Sequence, residues 1–357
     1  IRDGGHSLRS WGDRLDFPKG EINDFTTYTP AMLEYCRMDT ALTGKLAHQL
    51  SIEGCSFSSR SYSLERKIRA IIDQQQKNGF AFNIREAMVL LSKLEDEQHG
   101  LESKAEEMFE PTEIVLKTKT KYIPFNIASR KQIADRLMKR GWKPTKTTDK
   151  GNIIVSEEIL NKLDMEEAKM FSRYFLLQKR TGLLKSWIQA CEEDERVRGK
   201  VLTLRTVTGR MAHHSPNMAQ VPASYSPYGK ECRELWTIGN SDTHVLMGTD
   251  ASSLELRCLA HYMDDRKFTK EVLTGDVHSS NQKMAGLQTR DQAKTFIYAF
   301  LYGAGPAKIG KVVGAGAKRG QQLITNFLGN MPNLKKLRDD VIEASQTGTI
   351  KALDGRV

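Results

Sequence analysis

No stretch of this sequence approaches the ~20 consecutive apolar residues that a membrane-spanning helix needs, and its start lacks the pattern of a secretory signal. Cysteine is scarce and unpaired. Cys36, Cys55, Cys191, Cys232 and Cys258 form an odd, scattered set with no Cys-x-x-Cys spacing, which argues against a zinc knuckle and for a reducing compartment. Acidic residues are in deficit, 44 against 54 lysines and arginines, leaving a net charge of +10; that excess points to a polyanionic partner such as nucleic acid. Histidine is sparse, and none of the 8 is followed by Asp. Apolar content of 39% over 357 residues is that of a folded chain long enough for more than one core.

The most ordered pattern lies between Arg290 and Gly303. Arg290, Lys294, Tyr298 and Tyr302 recur every fourth residue, a spacing that lays them along one helical stripe roughly 18 Å long. Thr289 with Gln292 is a capping-box pattern that predicts the helix start, and Ala293, Phe296, Ile297, Phe300 and Leu301 supply an apolar remainder. The cations then sit in the first turns, where free N–H groups and the helix dipole already favour an anion. Such a stripe suits a polyphosphate at one end and a sugar or base at the other; a solvated basic face with rim tyrosines has the same spacing.

In chain order, a helical pattern around Ala31 to Leu50 places Tyr35 and Asp39 on one face, either a surface pair or a water-positioning pair at a metal. Helices are predicted from Leu64 to a stop at Gly79, and from Asn83, with Glu86 as its capping partner, to Pro111; together they predict an antiparallel arm. Lysines alternate along Val115–Tyr122 at strand spacing, reading equally as phosphate contacts or as a protected edge strand. Ser129–Arg140 and Glu157–Trp187 read as helices, the latter carrying Lys179, Arg180 and Lys185 near its end, where basic residues cluster. Thr208-Gly209-Arg210 and Ser215-Pro216-Asn217 are turn signals, followed by Gln220. Val245–Thr249 reads as a buried strand with Asp250 at its exit, and Ser252 with Glu255 as the cap of a following helix. Asp250 is then either a metal carboxylate over a sheet edge or an ordinary helix-start Asp. Thr274–His278 reads as a turn ending in His. Gly305–Val312 nearly spells a phosphate-binding loop, but Val312 stands where a Ser or Thr is needed and the stretch follows a helix, so it is rejected.

With these residues in hand, the sequence resembles family A (Pol I-type) DNA polymerases, with the closest likeness to the replicative polymerases of short-tailed bacteriophages. Asp250-Ala-Ser-Ser-Leu-Glu-Leu-Arg-Cys-Leu-Ala-His261 resembles the family's first catalytic motif. The Arg290–Gly303 run is similar to its nucleotide-binding finger helix, and Thr208-Gly209-Arg210 with Pro216-Asn217 to its primer-contacting motif. Trp142 and Leu353-Asp354-Gly355-Arg356 extend the likeness over nearly the whole chain.

The resemblance implies an α+β fold, a right-hand polymerase with helical thumb and fingers on an incomplete antiparallel palm sheet, preceded by the remnant of a 3′–5′ exonuclease. It implies an exonuclease remnant over 1–58, thumb over 59–200, the first part of the palm over 201–275, fingers over 276–340 and a return toward the palm over 341–357. It implies template-directed DNA synthesis in viral replication, by transfer of deoxynucleotides to a primer 3′-OH with two Mg2+ ions. Asp250 would ligate the metals, helped by the Ala251 carbonyl, and Lys294 would join it in catalysis. Glu255 would exclude a 2′-hydroxyl, while His278, Arg290 and Lys294 would hold the triphosphate. Tyr298 would lie near the incoming sugar and Tyr302 beside the templating position. Arg210, Asn217 and Gln220, with Lys179 and Arg180, would contact DNA; Tyr35 and Asp39 would be the last exonuclease motif.

Departures from the family pattern set further expectations. The His-Asp-Glu hairpin that carries the second catalytic Asp does not appear, and both ends look cut, with Ile1 first and Val357 last. The chain alone is therefore expected to be inactive, either completed by a second chain carrying the rest of the palm or acting as a binding fragment that grips primer–template and dNTP without chemistry. The early exonuclease carboxylates are also missing. Phe109 to Phe125 is a short basic link, so no thioredoxin partner is expected. Primer–template DNA and dNTPs are the expected partners, with no membrane, in the cytoplasm of an infected bacterial host.

Overall fold

A computed structural model describes residues 5–17, 19–115, 120–206, 208–239 and 242–357. The element order opens with α1 (Leu8–Arg14), α2 (Pro30–Gly54), α3 (Ser59–Asn78), β1 (Phe80–Phe82), α4 (Ile84–Met108), β2 (Thr112–Val115) and β3 (Thr120–Ile123). It continues with α5 (Arg130–Lys139), α6 (Glu157–Leu160), α7 (Glu166–Gln189), β4 (Arg196–Val197), β5 (Lys200–Leu202), β6 (Ala212–His214), α8 (Gly229–Glu234) and β7 (Trp236–Thr237). Only helices follow: α9 (Leu254–Met263), α10 (Arg266–Thr274), α11 (Val277–Ala285), α12 (Arg290–Leu301), α13 (Pro306–Val312), α14 (Ala317–Asn330) and α15 (Pro332–Ser345). The fold is α+β, mostly helical with small antiparallel sheets. Among the described residues no helix is long and apolar enough to cross a membrane.

The chain divides into two compact units, one over Leu64–Leu246 and the other comprising the residues up to Ser63 together with Met247–Val357. In the first, α4 packs along α7, and the predicted pairing of α4 with α3 is corrected. The physical reason is where each helix can bury an apolar face. Residues Ala168, Phe171, Phe175, Leu177, Leu184 and Trp187 of α7 are buried, whereas α3 leaves Leu64 and Ile71 exposed. Phe82 of β1 lies 6.3 Å from the Trp187 ring and 4.9 Å from that of Trp236. This seats the three-stranded sheet, in the order β4-β1-β7, on the same core. The predicted cap is in place: Asn83 Oδ1 accepts from the Glu86 N–H at 3.1 Å.

Two other expectations for this unit need correction. Residues 115–122 are not one alternating strand: Val115 ends β2 and Thr120 begins β3, and the two strands pair antiparallel in the register Thr112↔Ile123 to Val115↔Thr120; residues 116–119 of that expectation lie outside the described residues. The helix predicted over 157–187 is two helices, α6 and α7, interrupted at 161–165. A polar network then fastens α4 and α7 to the turn before α8. Arg173 donates to both Glu97 carboxylate oxygens at 2.6 and 2.9 Å, and Tyr228 donates to Glu97 Oε2 at 2.6 Å. Arg173 also donates to the Tyr228 hydroxyl at 2.6 Å. These bonds hold Glu97 below the usual carboxylate range, Arg173 being the main cause.

In the second unit α12 lies against α11, α13 and α14. Ala293, Phe296 and Ile297 are fully buried with Leu323 and Phe327, and the Phe296 and Phe300 rings meet Phe327 edge-on at 5.1 and 5.5 Å. Each such buried apolar side chain contributes on the order of 1.5–3 kcal/mol. The segment 245–249, predicted as a buried strand, is coil with Val245, Leu246 and Met247 largely exposed, 86%, 77% and 84%. A strand requires a neighbour to complete its hydrogen-bond ladder, and none pairs with this segment among the described residues.

The closest packing in this unit is α13 against α14. A Cβ on Gly320 would lie 1.9 Å from the Pro306 carbonyl oxygen and 2.7 Å from the Gly310 nitrogen. Gly320→Ala is therefore expected to destabilise this unit by ~1–3 kcal/mol through overpacking, read as a lowered urea midpoint. Gly329→Ala on the same helix, with open space around it, is the control and is expected to be neutral or stabilising.

Candidate functional site

The Thr289 hydroxyl accepts from the Gln292 N–H at 3.2 Å, so α12 starts where its cap pattern predicts. Because Ala293, Phe296 and Ile297 are buried, the stripe of Arg290, Lys294, Tyr298 and Tyr302 lies on the opposite, accessible side. Tyr302 is the C-cap rather than a helical residue, and Gly303 beyond it adopts φ +72°.

The structure brings three further residues to this stripe. Glu255, in the first turn of α9, accepts a hydrogen bond from the Tyr302 hydroxyl at 3.1 Å. His278, in the first turn of α11, has its ring 6.3 Å from that of Tyr298. Asp276, which the sequence reading left without a role, caps α11 by accepting from the His278 and Ser279 N–H groups at 3.2 and 3.3 Å. It also accepts from Arg290 Nε at 2.9 Å and Nη2 at 3.1 Å. The predicted turn thus ends at Asp276, and His278 belongs to a helix.

The electrostatics follow from these neighbours. The Arg290 hydrogen bonds, then the Ser279 hydroxyl, hold Asp276 far below the ordinary carboxylate range, and Asp276 raises Arg290 in return. The pair is half exposed, so solvent screens it and its value is orientation more than stability. Burial lowers His278, and the charges of Arg290 and Lys294 lower it further against the opposing pull of Asp276. Burial raises Tyr298, with the Glu255 charge acting in the same direction. The site therefore presents Arg290 and Lys294, an imidazole held toward its neutral form and two tyrosines on one face. Such a face suits an elongated anion with an aromatic or sugar end.

Other predicted residues are placed differently. Asp250 and Ala251 are exposed on coil ahead of α9, and Asp250 makes no hydrogen bond or ion pair among the described residues. The expected Ser252 cap is corrected. Ser253 is the N-cap, at φ +52° and without a side-chain bond, while the Ser252 carbonyl accepts from Arg257 Nε at 2.8 Å. Among the described residues there is no group of three or more His, Cys, Asp or Glu that could hold a metal ion.

In the first unit, Arg210 closes a turn in which the Thr206 hydroxyl accepts from its N–H at 2.7 Å. Asn217 caps a short 3-10 turn, Met218–Gln220, and Gln220 is exposed. Lys179 is ion-paired with Glu157 at 2.6 Å, and Arg180 donates to the Pro227 carbonyl at 3.1 Å. In the second unit, Asp39 is met by the Lys19 ammonium at 3.1 Å, and that ammonium also lies 5.1 Å from the Tyr35 ring centroid.

The family model for DNA polymerase family A matches residues 90–357. The chain belongs to DNA polymerase family A. Among its relatives, the DNA-directed DNA polymerase of Escherichia phage T7 is 30% identical over 484 aligned positions, covering 99% of this chain and 68% of that protein. The corresponding polymerase of Enterobacteria phage T3 is 40% identical over 276 positions, covering 67% of this chain and 39% of that protein. The alignment with the T7 polymerase is longer than this family A chain itself, so that relative carries segments that this chain lacks. Among solved structures, the POL domain of Pol1 from M. smegmatis in complex with DNA primer-template and dNTP superimposes with a TM-score of 0.74 at 16% identity, covering 98% of this chain and 60% of that one. At that identity the likeness speaks for the fold.

The burial and neighbouring cations of His278 give a direct expectation. Its folded-state midpoint lies below the ordinary histidine value of ~6.5, so the unfolded chain takes up the proton first as pH falls. The contribution of His278 to stability is therefore present above ~pH 6.5 and declines below it. An NMR titration of the imidazole should show a midpoint below that of a free histidine, and Lys294→Ala should move it upward.

Proposed function

We propose that this chain serves template-directed DNA synthesis and that its second unit grips the incoming deoxynucleoside triphosphate. The observation that carries the proposal is the convergence of His278, Arg290, Lys294, Tyr298, Tyr302 and Glu255 on one face in a family A chain. Arg290, Lys294 and a neutral His278 N–H would bind the phosphate oxygens. When the primer 3′-oxygen attacks the α-phosphorus and pyrophosphate departs, the same cations stand where negative charge grows on the leaving group. Tyr298 would lie against the sugar. Glu255, held by the Tyr302 hydroxyl, would occupy the space a 2′-hydroxyl needs. Arg210, Asn217 and Gln220 would meet the primer–template.

Magnesium would supply the Lewis acidity of such a reaction, with Asp250 and the Ala251 carbonyl, exposed ahead of α9, as the groups that would hold it; no step is assigned to it. The absence of a cluster of three or more metal-ligating side chains among the described residues favours a second reading alongside the first: gripping of primer–template and dNTP without chemistry by this chain alone. The likeness to the T7 and T3 polymerases supports a role in viral DNA replication, in the cytoplasm of an infected bacterium. Tyr35 and Asp39, which meet the Lys19 ammonium, would be the last motif of an exonuclease remnant.

Calorimetric titration with dATP tests the reading. The wild-type chain is expected to bind, and Lys294→Ala to bind at least about tenfold more weakly, as loss of one charge-assisted hydrogen bond of ~1.5 kcal/mol implies. Primer extension by the chain alone is expected to be nil; a wild-type chain that binds no dATP at millimolar concentration overturns the proposal. In an extension-competent form, Tyr298→Phe is expected to raise discrimination against dideoxynucleotides, measured as the ratio of kcat/KM for dNTP and ddNTP.

A further inference from the structure

Asp276 stands among the triphosphate-gripping residues without being one of them. Its carboxylate accepts from Arg290 Nε and Nη2 at 2.9 and 3.1 Å, from the His278 and Ser279 N–H groups at 3.2 and 3.3 Å, and from the Ser279 hydroxyl at 2.7 Å. One side chain thereby joins the start of α11, which carries His278, to the start of α12, which carries Arg290. A guanidinium has five N–H groups in a planar fork. The carboxylate takes the Nε edge and one proton of Nη2, leaving both Nη1 protons and the other Nη2 proton for an incoming anion.

We infer that Asp276 is a positioning residue for triphosphate binding: it fixes the Nε–Nη2 edge of Arg290 so that the opposite edge faces the phosphates, in register with His278. The inference rests on the nucleotide-gripping reading above. A carboxylate near a polyphosphate also repels it. Here that charge is spent on Arg290 and on the first turn of α11, and a long side chain held in one rotamer loses less entropy when the anion arrives. Positioning and repulsion predict opposite signs on removal of the charge, which makes the inference decidable.

The experiment titrates the chain with inorganic tripolyphosphate and with dATP, by calorimetry in the presence of Mg2+, for the wild type, Asp276→Asn, Arg290→Ala and the double variant. Asn caps a helix as well as Asp does, so α11 is kept while the charged pairing is lost; unchanged circular dichroism checks this. Asp276→Asn is expected to weaken both ligands about fivefold, within the range of coupling between residues in direct contact. In the Arg290→Ala background the same substitution is expected to have no further effect, because Asp276 acts only through Arg290; a merely structural role would persist there. Binding by Asp276→Asn that is unchanged or tighter, or a loss that survives in the Arg290→Ala background, overturns the inference while leaving the nucleotide-binding reading standing. Failure of the wild type to bind either probe overturns that reading and the inference with it.

Discussion

Burying one side of α12 fixes what the other side can do. Ala293, Phe296 and Ile297 are locked into the core of the second unit by Leu323 and Phe327, and a helix with that face committed has no rotational freedom left. Residues a turn apart on the free side must then stay aligned, so the direction of Arg290, Lys294 and Tyr298 is a consequence of apolar packing on the far side of the helix. The tight approach of α13 and α14, where Gly320 meets the Pro306 carbonyl, belongs to the same constraint, because α14 carries the Phe327 ring that α12 rests on. Polar function on this face is bought with core volume behind it.

The first unit uses a different device. Its helices α4 and α7 share a core around Leu94, Leu177 and Trp187, and apolar packing of two helices tolerates small sliding. Glu97, Arg173 and Tyr228 add direction, because four mutual hydrogen bonds at 2.6 to 2.9 Å are satisfied in a narrow range of helix registers. Arg180, two turns further along α7, adds contacts to the same segment, at Pro227 and Ser226. Lys179, Arg180 and Lys185, which read from sequence as part of a DNA-facing cluster, also have partners within the unit. A charge count along a helix does not reveal this, since pairing depends on what the neighbouring element presents.

What was legible in the sequence is local. The starts at Asn83, Ser129 and Thr289 were readable because a cap is a bond between a side chain and an N–H three residues on. The stripe on α12 was readable because its period is that of the helix. What failed was anything requiring a partner from elsewhere. Val245 to Thr249 has the composition of a strand, yet composition records a preference for burial and not the neighbour that satisfies it. The partner of α4 was misassigned for the same reason, by taking the next helix in sequence. Asp276 could be read as an N-cap, with Ser279 three residues later, but its pairing with Arg290 depends on the approach of α11 to α12, which no local rule supplies.

The candidate site shows the same division in chemical form. Its cationic face lies between Asp276 and Tyr302, a short span that assembles from consecutive helices and their caps, with Glu255 added from α9. Electrostatic recognition of a polyphosphate can be built in this way because cations and N–H groups each contribute alone. A magnesium ion is bound differently, by one or two carboxylates together with waters and substrate phosphates. Asp250, exposed on coil ahead of α9, offers one carboxylate. The cationic face is therefore a property of local helical order, whereas a metal site on Asp250 would be completed by groups that this local order does not supply.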